Sequence, residues 1–265
     1  SSSSVAIMTS LAPLMVIVSV EEFVPERMKV TASTTAPGYV QGTEIPVGVE
    51  AAYLFGGSAE GSPVEMTCRL ESVPFKPKQN AQYTYGVWRQ DGNAPRPVTL
   101  GQVKGTLDAK GQALLNCPAQ AASGPMKGAA RLSAVASVFE SGSGRSTIGE
   151  ATVPVHPEAY YLGLQANTQK VKAATPFTLT GVVVDWNGQP LTGDKAPKTV
   201  RLEYQLLEEN YGYYYDEESG YERYQRYLRP QREGEATAKV ENGRFTATVL
   251  PGRDGAGYLV RARAG

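Results

Sequence analysis

Residues able to do acid–base, nucleophilic or metal chemistry are few in this chain, and their spacing argues against all three. His156 is the single histidine, flanked by Pro154 and Pro157, and the only thiols are Cys68 and Cys117. A structural zinc site takes about four His or Cys ligands, so that site cannot be assembled. Nor does one histidine beside prolines support a Ser-His-Asp or Cys-His pairing. Glu21 and Glu22, like Glu217 and Glu218, are sequence neighbours; in strands they point to opposite faces and make poor acid–base pairs. Asp185, Asn187 and Asp194 hint at calcium, but the loop lacks the alternating acidic spacing of a calcium loop, and turn chemistry accounts for them. No catalytic residue, metal or cofactor is expected, and the chain reads as a non-enzyme.

One stretch remains conspicuous. EENYGYYYDEESGYERYQRY, residues 208–227, holds seven of the fifteen tyrosines. Tyr211, Tyr213, Tyr214, Tyr215 and Tyr221, with Arg223, Arg226, Arg229 and Arg232, are the candidate site residues. A hairpin with aromatic and charged pairs across its strands explains the composition without a ligand. Tyr and Arg are also the residues of interface hot spots, so the hairpin is a candidate contact surface. If exposed and flexible, its arginines would instead form a bait for trypsin-like proteases.

These residues must be carried by strands. KVTAST, EIPVGVEAAYLF, VEMTCRLESV, GQALLNC, ARLSAVASVF, FTLTGVVVDW, TVRLEYQLL, RFTATVL and YLVRARA are short, rich in Val, Thr, Tyr and Leu, and separated by turns such as WNGQPLTGD and ENGR. No segment holds a helical apolar period for three turns, so an all-β fold of antiparallel, immunoglobulin-like sandwiches is predicted. Lys plus Arg (26) balances Asp plus Glu (26), which gives no general attraction to nucleic acid or anionic membrane.

The chain also repeats itself. One separation, 132 positions, relates Thr43 to Thr175, Gly56 to Gly188, Gly61 to Gly193, Arg69-Leu70-Glu71 to Arg201-Leu202-Glu203, and Gly111 to Gly243. An ungapped register through strand, turn and strand predicts two copies of one sandwich, residues 25–156 and 157–265. Residues 1–24 are read as a leader or the end strand of a preceding domain plus a linker. The stretch Val5 to Val20 is apolar but too short for a membrane span, is interrupted by Pro13, and lacks the basic start of a secretory signal. The chain is expected to be a piece of something longer, with the second copy lacking its last strand. Such an open edge recruits a strand, and PLMVIVSV from a neighbouring molecule would give strand-exchanged self-association.

The same offset places YTYGVWRQDGNAPRP in the slot of YYYDEESGYERYQRY, so a hairpin is predicted in both copies. It also sends Cys68 and Cys117 to Val200 and Val249. Strand alternation turns both thiols toward a core, where either two buried thiols or a disulfide would fit.

At EEFVPERMKV the chain resembles the linker that precedes a macroglobulin domain in bacterial members of the α2-macroglobulin family. VEAAYLFGGSAEGSPVE resembles EVAAYLFG-like text of the family, AYYLGLQANTQKVKAATPFTLTGVVVDWNGQPLTG resembles the start of a following macroglobulin domain, and the resemblance runs from about Val20 to Ala264. It implies a large exported protein that traps proteases by a bait segment and a thioester, periplasmic and anchored to the inner membrane in some relatives. It also implies proteases, neighbouring domains of the parent chain and a peptidoglycan synthase or other envelope proteins as partners. The Cys-x-Glu-Gln thioester motif is absent, because Cys68 is followed by RLE and Cys117 by PAQ. The chain would therefore be non-catalytic scaffold, with the thioester elsewhere. A cell-envelope adhesion module of immunoglobulin-like domains is the alternative.

Overall fold

The structure, a computed structural model, describes residues 27–89, 92–119, 126–140, 142–216 and 219–265. The apolar N-terminal stretch, the Glu21–Glu22 pair and the Glu217–Glu218 pair lie outside them. Among the described residues there is no α-helix. The strands are β1 (Met28–Thr34), β2 (Tyr39–Val40), β3 (Ile45–Tyr53), β4 (Pro63–Ser72), β5 (Val98–Thr106), β6 (Gln112–Cys117), β7 (Ala130–Phe139) and β8 (Ser146–His156), followed by β9 (Tyr161–Ala166), β10 (Phe177–Val184), β11 (Thr199–Asp216), β12 (Tyr221–Lys239), β13 (Arg244–Val249) and β14 (Gly257–Ala264).

The first eight strands make one sandwich, with sheets β1-β3-β6 and β2-β8-β7-β4-β5. Alternation does the sorting: Val64, Met66, Cys68 and Leu70 of β4 and Leu132, Ala134, Ala136 and Val138 of β7 are all buried, while the residues between them are more exposed. Cys68 and Cys117 are bonded to each other, with their Cα atoms 5.7 Å apart. Because β4 and β6 belong to different sheets, this bond staples the two layers across the core.

The remaining strands make the second sandwich, with sheets β9-β10-β13 and β12-β11-β14. The repeat holds at the level of individual pairs. Val30↔Ala51 becomes Leu162↔Val183, and Ile45↔Cys117 becomes Phe177↔Val249. The bridge Ala52↔Ser58 becomes Val184↔Pro190. Gly111 and Gly243 serve one purpose in both copies: each has φ near +74° (74° and 73°), and a Cβ there would lie 2.4–2.5 Å from a carbonyl oxygen. Among the described residues nothing pairs with the outer side of β14, where β8 lies against β7 in the first copy.

One expectation fails. Among the described residues the stretch between β4 and β5 forms no hairpin in the first sandwich. Pro74, Pro77, Pro95 and Pro97 bracket it and remove the N–H groups that a ladder requires, whereas the second copy has only Pro230 across its whole hairpin. The loop instead reaches the second sandwich. Thr84 exchanges two backbone hydrogen bonds with Leu164 on the free side of β9 (2.8 and 3.1 Å), and Tyr83 and Tyr85 lie over Gly163, whose missing side chain makes the room. Asn80 donates to the Gly188 carbonyl (2.9 Å), and Arg244 donates to the Tyr83 hydroxyl (3.1 Å).

His156 completes this joint. Its ring stacks on Trp186 (4.2 Å between centroids) and its Nδ1 lies 2.8 Å from the Tyr161 hydroxyl, while Tyr161 stacks on Phe75 at 3.6 Å. The imidazole is therefore shared by β8, β9, the turn after β10 and the 73–97 loop. Burial lowers its pKa below the ordinary 6.5, and no charged neighbour offsets the effect. With the folded value depressed, the unfolded chain binds the proton first as pH falls, so stability drops below about pH 6.5 until the folded value is passed. The thermal midpoint is expected to fall between pH 7.5 and pH 5, and His156→Phe, which keeps the stack, should flatten that part of the profile.

Candidate functional site

The hairpin expected in the second copy is present and outgrows its sandwich. β11 pairs with β14 only as far as Leu207↔Gly257, yet its ladder with β12 continues through Glu208↔Arg229 to Asp216↔Tyr221. Nine residue pairs thus leave the sheet as a two-stranded ribbon, roughly 30 Å long at about 3.3 Å per residue. At the tip the Asp216 carbonyl accepts from Gly220 N–H (2.8 Å).

Cross-strand register divides the side chains between two faces. On one face stand Tyr211, Tyr213 and Tyr215, opposite Arg226, Tyr224 and Glu222. Tyr224 stacks against Tyr211 (6.1 Å) and meets Tyr213 at 4.9 Å, and Arg226 pairs with Glu209 at 2.9 Å. The other face carries Tyr214, Tyr221, Tyr227, Arg223 and Arg229; there Arg223 pairs with Asp216 at 3.0 Å, and the Tyr227 ring crosses Gly212. These tyrosines are exposed, Tyr213 and Tyr221 to 73%. Arg232 stands apart: it lies within the sheet, where Glu235 accepts from both Arg201 and Arg232. With Glu203, Arg261 and Arg263 these residues line a shallow cavity of about 240 Å³.

The root of the ribbon is held by groups that sequence reasoning missed. The β12 side of the ladder carries one extra residue, Glu233, between the pairs Tyr204↔Gly234 and Gln205↔Arg232. Its carboxylate accepts from the Tyr258 hydroxyl (2.6 Å), Gly252 N–H (3.1 Å) and Arg253 Nε (3.2 Å), and Arg253 reaches on to Glu208 (3.3 Å). Burial pushes this carboxyl up, but the hydrogen bonds from Tyr258, Gly252 and Arg253 outweigh it and hold it below the usual carboxylate range. The available signal was Gly234, a glycine inside a strand, which marks a bulge and here lies under the Tyr204 ring.

Asp185 spends its carboxylate on the N–H groups of Asn187 (2.8 Å) and Gln189 (2.9 Å) in a turn. Among the described residues no three His, Cys, Asp or Glu side chains converge on a metal position.

Residues 26–157, which span the first sandwich, match the family described as the bacterial alpha-2-macroglobulin MG5 domain. The first sandwich belongs to this bacterial alpha-2-macroglobulin domain family. Its fold is similar to that of Escherichia coli alpha-2-macroglobulin in the native conformation, at 20% identity and a TM-score of 0.59, over 92% of this chain and 16% of that one. Salmonella alpha-2-macroglobulin reacted with methylamine gives 18%, 0.58, 92% and 16%. Escherichia coli alpha-2-macroglobulin activated by porcine elastase gives 19%, 0.52, 87% and 22%. No curated protein matches the sequence. The chain thus spans about a sixth of the length of the macroglobulins it resembles in fold, and that likeness extends past the matched MG5 domain into the second sandwich.

Proposed function

We propose that this chain is a non-catalytic scaffold of a protease-trapping macroglobulin, an endopeptidase inhibitor whose thioester lies outside these residues. The observation that supports it most is the joint. Loop 73–97, β9 and the stack of buried His156 on Trp186 tie the two sandwiches into one body that would transmit displacement rather than absorb it. The disulfide fits an oxidising compartment, in keeping with a periplasmic location for a parent anchored to the inner membrane. Proteases, neighbouring domains and envelope proteins such as a peptidoglycan synthase would then be partners of the whole molecule. An adhesion module shares only the sandwich architecture, and nothing in the ribbon or the joint favours it.

Within this reading the ribbon is a contact limb rather than the bait. A protease binds its substrate as a single extended strand, and here residues 208–216 and 221–229 are laddered to each other, so neither is free to enter a cleft alone. Limiting trypsin, elastase and subtilisin should leave Arg223, Arg226 and Arg232 uncut in the early products, as read by intact mass, with no protease bound covalently. A first cut shared by all three enzymes inside 221–232 would make the ribbon a bait and overturn this assignment.

A further inference from the structure

Four tyrosines share one face of the ribbon, and among the described residues the ring contacts there are with one another. Tyr211, Tyr213, Tyr215 and Tyr224 are 57%, 73%, 64% and 60% exposed. A contiguous aromatic face on a projecting limb is the composition of a binding surface, since isolated rings need no explanation but a cluster does. Its charge identifies the partner. Arg226 is occupied by Glu209, and on the reverse face Arg223 is occupied by Asp216. Glu222, across from Tyr215 on the same face, makes no ion pair among the described residues, so that face carries one uncompensated carboxylate. Ring faces with surplus negative charge attract cations and repel phosphates, nucleic acid and anionic lipid.

We infer that the Tyr211–Tyr213–Tyr215–Tyr224 face docks an extended lysine- or arginine-bearing segment of a partner protein, cations seated on the rings and steered by Glu222. The inference rests on the ribbon's surface alone and does not depend on protease trapping.

Fluorescein-labelled octa-lysine and octa-arginine are the probes, titrated with the full chain and followed by anisotropy, with octa-glutamate and a neutral chitin oligosaccharide alongside. Both basic peptides should bind, more weakly as salt rises. Tyr213→Ala with Tyr224→Ala should weaken binding roughly tenfold. The matching phenylalanine pair should retain it, because the ring and not the hydroxyl holds the cation. On the reverse face, Tyr221→Ala should change affinity less than about twofold. Equal or tighter binding of octa-glutamate or the oligosaccharide would overturn the inference, as would basic-peptide binding indifferent to the alanine pair. Concentration-dependent self-association lost in that pair would assign the face to a second copy of the chain and overturn it too.

Discussion

Replacing Cys68 and Cys117 together by valine is expected to lower the stability of the first sandwich by about 4 kcal/mol and to leave the second sandwich unchanged. The bond closes a loop across a sequence separation of 49, and the loss of that constraint on the unfolded chain gives the figure. Valine is the right replacement because the repeat has already made the substitution: Val200 and Val249 occupy the equivalent positions, both fully buried. The double variant therefore tests the covalent link with little change in packing. Hydrogen exchange in denaturant, read separately on peptides of β4 to β7 and of β10 to β13, would report the difference. A loss below about 1 kcal/mol would mean that packing alone carries the first core.

The second large effect concerns the joint, and the repeat again supplies a control. Gly56 and Gly188 occupy the same turn, with φ of +99° and +87°. A Cβ at Gly56 meets nothing within 4 Å, whereas one at Gly188 would lie 2.3 Å from the Gln79 carbonyl oxygen and 2.6 Å from Pro77. Gly56→Ala should cost about 1 kcal/mol, the strain of a side chain in the left-handed region. Gly188→Ala should cost about 3 kcal/mol, because the backbone at 77–79 must also move off the second sandwich. Calorimetry of both variants at neutral pH checks this. Equal losses would show that loop 73–97 only rests on the turn and does not hold it.

Most of the architecture was legible because it follows from alternation and from the 132-residue register. Both periodicities are local, and both survive as strand pairs such as Phe177↔Val249. What escaped depended on which segments meet. His156 carries no sequence signal of its position, since Trp186, on which it stacks, and Phe75, which meets it edge-on, are far away in the chain. The tyrosines of YTYGVW matched the offset, but flanking prolines overrode it and turned a hairpin strand into a bridge between sandwiches. The ribbon was readable from its composition and its Gly-containing turn. Its root was not, because Glu233 is ordered by Arg253 from the β13–β14 connection and by Tyr258 from β14, and no local pattern announces that docking.

As a scaffold, the two sandwiches should move as one body. Spin labels at Lys110→Cys in the first and Lys239→Cys in the second, both exposed positions, would give the distance distribution between them. A distribution as narrow as that of a pair within one sandwich, Lys110→Cys with Ser146→Cys, is the predicted result. A markedly broader or multi-peaked distribution would show two independently swinging sandwiches and would contradict the scaffold reading.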